Sequence, residues 1–230
     1  MSRFNFRITR MAVATLFTLL ISLPAFCDSQ VRIVRLSYIS GSVQIDRLGR
    51  SYEKALLNLP IAEGTKLKTA DDGRAEVEFE DGSTIRLAPN SVIVFPQLSL
   101  RDSGGKTSAV EVRKGTVYVN FAGTKNDELM LQFDQEKIPL AHAAHIRIAV
   151  GAIDATVAVF KGDVQIDGSS AVVAVKKNQT ANFDLAENNR YTLAKNIEEQ
   201  PFDAWDKQQD QHHVRYASNS YNSYSPYAYG

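Results

Sequence analysis

One short pattern occurs three times in this chain: an apolar residue, a spacer, Ser or Lys, Gly, a polar residue, and an apolar residue. The copies are Tyr38–Val43, Val112–Val117 and Val159–Val164, with Ser40-Gly41, Lys114-Gly115 and Lys161-Gly162 at their centres. If each central pair is a two-residue hairpin loop, Leu36 and Tyr38 face Ile45 and Val43. By the same count Val110 and Val112 face Val119 and Val117, and Val157 and Val159 face Ile166 and Val164. Every apolar pair then falls on one face, and a one-residue slip would expose all of them. Gly in the second loop position supplies the positive φ that such a turn requires. The pattern predicts β-hairpins built on one plan.

Between Val31 and Phe183 the periodicity is two. Arg74, Glu76 and Glu78 alternate with Ala75, Val77 and Phe79, as in a strand with one wet face. The following Glu80-Asp81-Gly82 has two possible registers. A two-residue loop sets Ile85 against Glu78, whereas a three-residue loop sets Val77 against Ile85 and Ala75 against Leu87. The apolar match selects the three-residue loop, with Gly82 at the left-handed position of a bulged hairpin.

Further strands fit residues 109–113, 116–121, 129–133, 144–150, 155–160, 163–167, 171–176 and 180–185, and 101–108 reads as an exposed loop. Asn178, which tolerates positive φ, reads as a degenerate fourth turn residue. The turn glycines at 41, 115 and 162 are unequally spaced, which argues against a solenoid of fixed period. The expected fold is all-β: a wound β-sandwich or roll of successive hairpins, with a short C-terminal helix and a flexible tail.

Residues 1–27 read as a signal peptide. Arg3, Arg7 and Arg10 precede an uncharged apolar run from Met11 to Leu23, and Ala25-Phe26-Cys27 offers small residues for cleavage. An uncleaved anchor would need about 20 apolar residues, more than this run provides. Lipidation of Cys27 is the other alternative, disfavoured by Pro24 and the bulky Phe26. Cys27 is the only cysteine, so removal of the leader leaves no disulfide and no thiolate. Without the three leader arginines the chain carries 23 basic and 26 acidic residues, a formal net charge of −3. That balance gives no electrostatic footprint for nucleic acid, and no later run is long enough to span a membrane.

Residues 28–193 are then the β domain, 194–215 a short helical segment with Pro201 in its first turn, and 216–230 a flexible Tyr/Ser/Asn-rich tail. Five of the nine tyrosines lie in that tail. Their rings suit sugar stacking, against the plainer reading of a disordered extension. Phe202 and Trp205, three residues apart on a helix, share a face and are candidates to dock on a sheet edge or face.

The residues resemble the FecR domain. The resemblance rests on Gly64–Ala70, Gly73–Val77, Asp81-Gly82-Ser83, Leu87–Asn90, Lys114–Val117 and Phe160–Ile166, and it covers residues 33–183. It implies an all-β extracytoplasmic module. In the ferric citrate regulators of that family, the domain sits in the periplasm and passes a signal from an outer-membrane transporter to a cytoplasmic anti-sigma segment. Only ten residues precede the apolar run here, so the chain resembles the stand-alone secreted or periplasmic members.

Candidate chemistry is sparse. His142 and His145 would share a helix face as metal ligands, but their flanks read as strand, where i and i+3 point apart. His212 and His213 with Asp206 and Asp210 would make at most a weak ion site, because adjacent residues do not converge. Asp71, Asp72, Glu76, Glu78, Glu80 and Asp81 form an acidic strip that alternation assigns to a wet face rather than to acid–base work. Gly104-Gly105-Lys106-Thr107 lacks the spacing of a phosphate loop, and Asn178-Gln179-Thr180 is a bare glycosylation triplet. The reading is therefore no catalytic residue, no cofactor site and no metal site. The expected function is an exported, non-catalytic β-module binding an envelope protein or glycan; the alternative is a periplasmic signalling accessory of the FecR type acting with a transport receptor.

Overall fold

A computed structural model describes residues 32–47, 49–168 and 171–223, with side chains as far as residue 213. The leader assigned to 1–27 and the end of the tail, 224–230, lie outside the described residues. The chain forms β1 (Arg35–Ser40), β2 (Val43–Asp46), β3 (Glu53–Lys54), β4 (Lys66–Thr69), β5 (Arg74–Glu78) and β6 (Thr84–Leu87). There follow β7 (Val92–Leu100), β8 (Lys106–Phe121), β9 (Glu128–Phe133), β10 (Glu136–Leu140) and β11 (Ala144–Val150). The last elements are β12 (Asp154–Lys161), β13 (Val164–Asp167), β14 (Val172–Val175), β15 (Thr180–Asp184), β16 (Arg190–Ala194) and α1 (Asp203–Ser223).

The strands make two sheets. The first has the order β1-β5-β6-β8-β11-β12-β15-β16 and the second β3-β2-β4-β7-β8-β9-β10-β13-β14. All pairs are antiparallel except β8 with β9. The inner faces share one apolar core: Val77, Ile85, Val119 and Ile148 of the first sheet join Ile45, Ile93, Leu131 and Ile166 of the second. The protein is mostly β, as its alternation predicts, and the sheet is not closed.

The three repeated motifs are not hairpin loops. β1 pairs with β5, and β2 with β4, so the chain at Gly41 leaves one sheet for the other. At Gly162 it passes from β12 of the first sheet to β13 of the second. Gly115 lies inside β8, a single strand whose first half pairs with β7 and whose second half pairs with β6 and β11. All three glycines have positive φ, 65°, 87° and 79° in chain order. Asn178, with φ 64°, sits between β14 of the second sheet and β15 of the first.

The physical reason is a change of parity. In β8 the inward residues are 108, 110 and 112 before Gly115 but 117, 119 and 121 after it. An αL residue that offsets the alternation by one keeps the apolar side chains inside while the strand bends. A two-residue hairpin demands the same odd offset, so either geometry satisfies the apolar pattern.

True hairpins lie between these corners. β5 and β6 place Val77 opposite Ile85 and Ala75 opposite Leu87, with Gly82 at φ 81°. β10 and β16 are strands that the alternation did not reveal. β10 alternates in burial but carries Pro139 and turns a carboxylate, Glu136, inward, and β16 is largely exposed, so neither reads as an apolar-polar alternation in sequence. The expected C-terminal helix runs from Asp203 to Ser223. Asp203 and Asp206 in its first turn complement the helix dipole.

Candidate functional site

The outer face of the first sheet carries a row of side chains that register alone puts in line. Tyr38 lies opposite Glu76, Glu76 opposite Arg86, Arg86 opposite Tyr118, and Tyr118 opposite Arg147. A second row has Thr84 opposite Asn120 and Asn120 opposite His145. Alternation forces these residues outward, because their neighbours Ala75, Val77, Ile85, Leu87, Val117, Val119, Ile146 and Ile148 fill the core.

The face is nevertheless buried. Glu76 is 2% exposed and Arg86 1%, since α1 lies over them. The helix presents Asp203, Asp206, Asp210 and His213, whose spacing of three, four and three places them on one side. Arg86 donates to Glu76 Oε2 at 2.7 Å and to Asp206 Oδ1 at 2.7 Å, and its Nη1 lies 2.6 Å from Asp210 Oδ1. Arg147 Nη1 reaches both oxygens of Asp203 at 2.6 and 2.5 Å, and Tyr118 donates its hydroxyl to Asp203 at 2.8 Å. Asn120 Nδ2 donates to Asp210 at 3.1 Å. His213 Nε2 meets Glu76 Oε1 at 2.8 Å, and Ser37 donates to the same oxygen at 2.6 Å. One large apolar side chain, Trp205, seats against this network at 8% exposure, with Tyr38 6.1 Å and the Arg74 guanidinium 5.6 Å from its ring. Phe202 packs at the edge of that aromatic group.

Several sequence expectations change here. Glu76 belongs to no wet face: Arg86 and Ser37 bond it from neighbouring strands and His213 of α1 from above. Glu78 and Glu80 are instead paired with Arg35 and Arg32 at 2.6 and 2.7 Å. His142 is exposed in the connection before β11 and stands apart from His145. The structure joins two candidate groups that looked separate, setting His145 beside Asp206 and Asp210. These three ligand atoms lie within 4.8 Å of one another, the one set among the described residues able to hold a metal ion. The Arg86 guanidinium already contacts both carboxylates, so a cation would enter against a fixed positive charge. His145 Nε2 is 2.7 Å from Asp206 Oδ2 without hydrogen-bond alignment. Arg86 and Arg147 were missed because each reads singly as one polar position of an alternating strand. The available signal was the acidic stripe of α1, which needs a basic counterpart.

Burial pushes the Glu76 carboxyl up, but hydrogen bonds from His213, Ser37 and Arg86 outweigh it and hold it down at about 2. The same hydrogen bond to Glu76 raises His213 above its ordinary 6.5, against its partial burial. Burial and the bond to Asp203 raise the Tyr118 phenol. Glu76 therefore contributes stability that is full above pH 4.5 and lost as pH falls toward about 2. His213 contributes stability that is full below pH 6.5 and lost as pH rises through its higher folded value. Urea midpoints are expected to be highest between these limits, and His213→Gln should abolish the decline on the alkaline side. A decline unchanged in that variant would show that His213 does not hold the helix.

All the strands that build this face except β1 lie in a stretch that matches a known family. Residues 65–165 match the FecR protein family. The matched FecR stretch runs from the start of β4 into β13 and so supplies Glu76, Arg86, Tyr118, His145 and Arg147, while α1 lies beyond it. Two crystal structures of a "putative anti-sigma factor" from Parabacteroides distasonis ATCC 8503 share the fold. Their TM-scores are 0.50 and 0.51 at 16% and 17% identity, over 61% of this chain. The alignment spans 63% of the length of either neighbour. None of the curated proteins matches the chain.

Proposed function

We propose that the chain is an exported, non-catalytic β-module that binds another component of the cell envelope, a protein or a glycan. The observation that carries this reading is the row Glu76–Arg86–Tyr118–Arg147. It is a polar face, built on paired strands within the stretch that matches the FecR family, and it already holds a helix by ionic and hydrogen-bonded contacts. Its charged groups are tied to opposite charges, which suits recognition better than proton transfer. Among the described residues, no helix is long and apolar enough to cross a membrane. The alternative is a signalling accessory acting with a transport receptor, favoured by the FecR match at 65–165, since that family is regulatory.

The test places a photo-crosslinking residue at position 212, exposed beside the face, in the native host. A defined adduct with one envelope protein, or cosedimentation of the purified chain with isolated cell-wall sacculi, is the expected result. The same preparation should have the intact mass of a chain beginning near Asp28. A chain retaining Met1, or one giving neither adduct nor cosedimentation, would overturn the proposal.

A further inference from the structure

α1 is held to the first sheet chiefly by charge. Its polar contacts include Asp203 with Arg147 and Tyr118, Asp206 and Asp210 with Arg86 and His145, Asp210 with Asn120, and His213 with Glu76, while Trp205 is the one large apolar side chain among its described residues that it buries. Exposed ion pairs are screened by salt and contribute little, but Arg86, Arg147, Glu76 and Asp206 are covered, so losing the partner of any of them leaves a buried charge. With α1 lifted away, Arg86 and Arg147 face solvent against Glu76, with His145 beside them. Such a surface favours an anionic occupant.

The fit of α1 is incomplete. Thr84 Oγ1 and Arg147 Nε of the sheet and Trp205 Nε1 of the helix are buried without a hydrogen-bond partner among the described residues, and the two sheet groups leave uncompensated desolvation that a better-matched occupant recovers. The segment leading to α1 is largely exposed and is fastened by Thr180 to the Asn196 carbonyl and by Arg147 to the Glu198 carbonyl. Beside the helix, a cleft of about 590 Å³ opens between β1 and α1, lined by Arg35, Tyr38, Glu78, Gln209 and His212. An incoming chain can approach there.

We propose that this face is a docking site for an acidic helix of a partner protein, and that α1 is its built-in occupant. The proposal rests on the binding-module reading and names the partner's chemistry: carboxylates at i, i+3 and i+7 with an aromatic side chain at i+2, as Asp203, Asp206, Asp210 and Trp205 provide. Displacing α1 exposes the lone tryptophan and frees the segment after residue 194, which gives binding a readout.

The experiment uses the full chain and a synthetic peptide of residues 197–215 carrying Trp205→Phe, so that the protein's own Trp205 is the single reporter. Because α1 is tethered, its effective concentration is on the order of millimolar and the peptide must compete against it. Excess peptide should shift the native Trp205 emission toward that of solvent-exposed indole. In Asp210→Asn, which loses one contact to Arg86, the midpoint should fall by about tenfold. A peptide with Asn at 203, 206 and 210 should cause no shift. Absence of any shift in both proteins overturns the proposal, as does equal displacement by polyglutamate, which would mean that the face reads charge without a helix. If the crosslink at 212 still captures a partner while the peptide fails, the binding module stands and the acidic-helix assignment falls.

Discussion

Replacing Arg86 with Met is expected to destabilise the protein by about 3–5 kcal/mol, the usual scale for removing one side of a buried ion network. The guanidinium is 1% exposed and touches Glu76, Asp206 and Asp210 at 2.6–2.7 Å. Those carboxylates raise its pKa against the effect of burial, which expresses the same coupling from the other side. Without it, Glu76, Asp206 and Asp210 face one another under the helix with no guanidinium between them. Removal of α1 is then the cheapest relief, so Trp205 fluorescence should report exposure along with the lost stability. The comparison is Arg35→Met, whose pair with Glu78 is half exposed and should contribute no more than about 1 kcal/mol. Urea titrations with unchanged slopes would give both values. Similar small losses in the two variants would mean that Arg86 is not buried as described.

The second large effect is expected at Gly115. A Cβ there would sit 2.4 Å from Ser91 Oγ, 2.5 Å from Ser91 Cα and 2.7 Å from the Asn90 carbonyl oxygen, at φ 87°. Gly115→Ala therefore combines left-handed backbone strain with overpacking against main chain, for a loss of about 3 kcal/mol. Gly82→Ala supplies the contrast, because its φ of 81° is similar but nothing lies within 4 Å of its added Cβ. Strain alone should cost about 1 kcal/mol there. Equal losses at both sites would show that crowding at the β8 corner contributes nothing.

Much of the fold is legible from local pattern. The alternation of Arg74–Phe79, the choice of a three-residue loop at Glu80-Asp81-Gly82 and most strand positions follow from which side chains must avoid water. The site is less legible. Glu76 alternates with apolar neighbours just as a solvated residue does, and the cover that buries it comes from Asp206 and His213 at the far end of the chain. His145 and Asp206 read as members of two unrelated clusters because nothing local brings a strand and a helix sixty residues apart together.

Alternation along the chain is enough to mark a β protein, to show which faces of its strands turn inward, and to place the residues of positive φ that interrupt them. What those interruptions do depends on contacts between distant strands. At Gly41, Gly115 and Gly162 an odd offset between apolar residues suits a chain that reverses and a chain that bends onward into the other sheet. The choice belongs to distant pairings: β1 with β5, the two halves of β8 with β7 and β11, and β13 with β10 and β14. Local periodicity fixes the direction of a side chain relative to its own strand, whereas the partner strand is selected by whichever non-local contact closes the core.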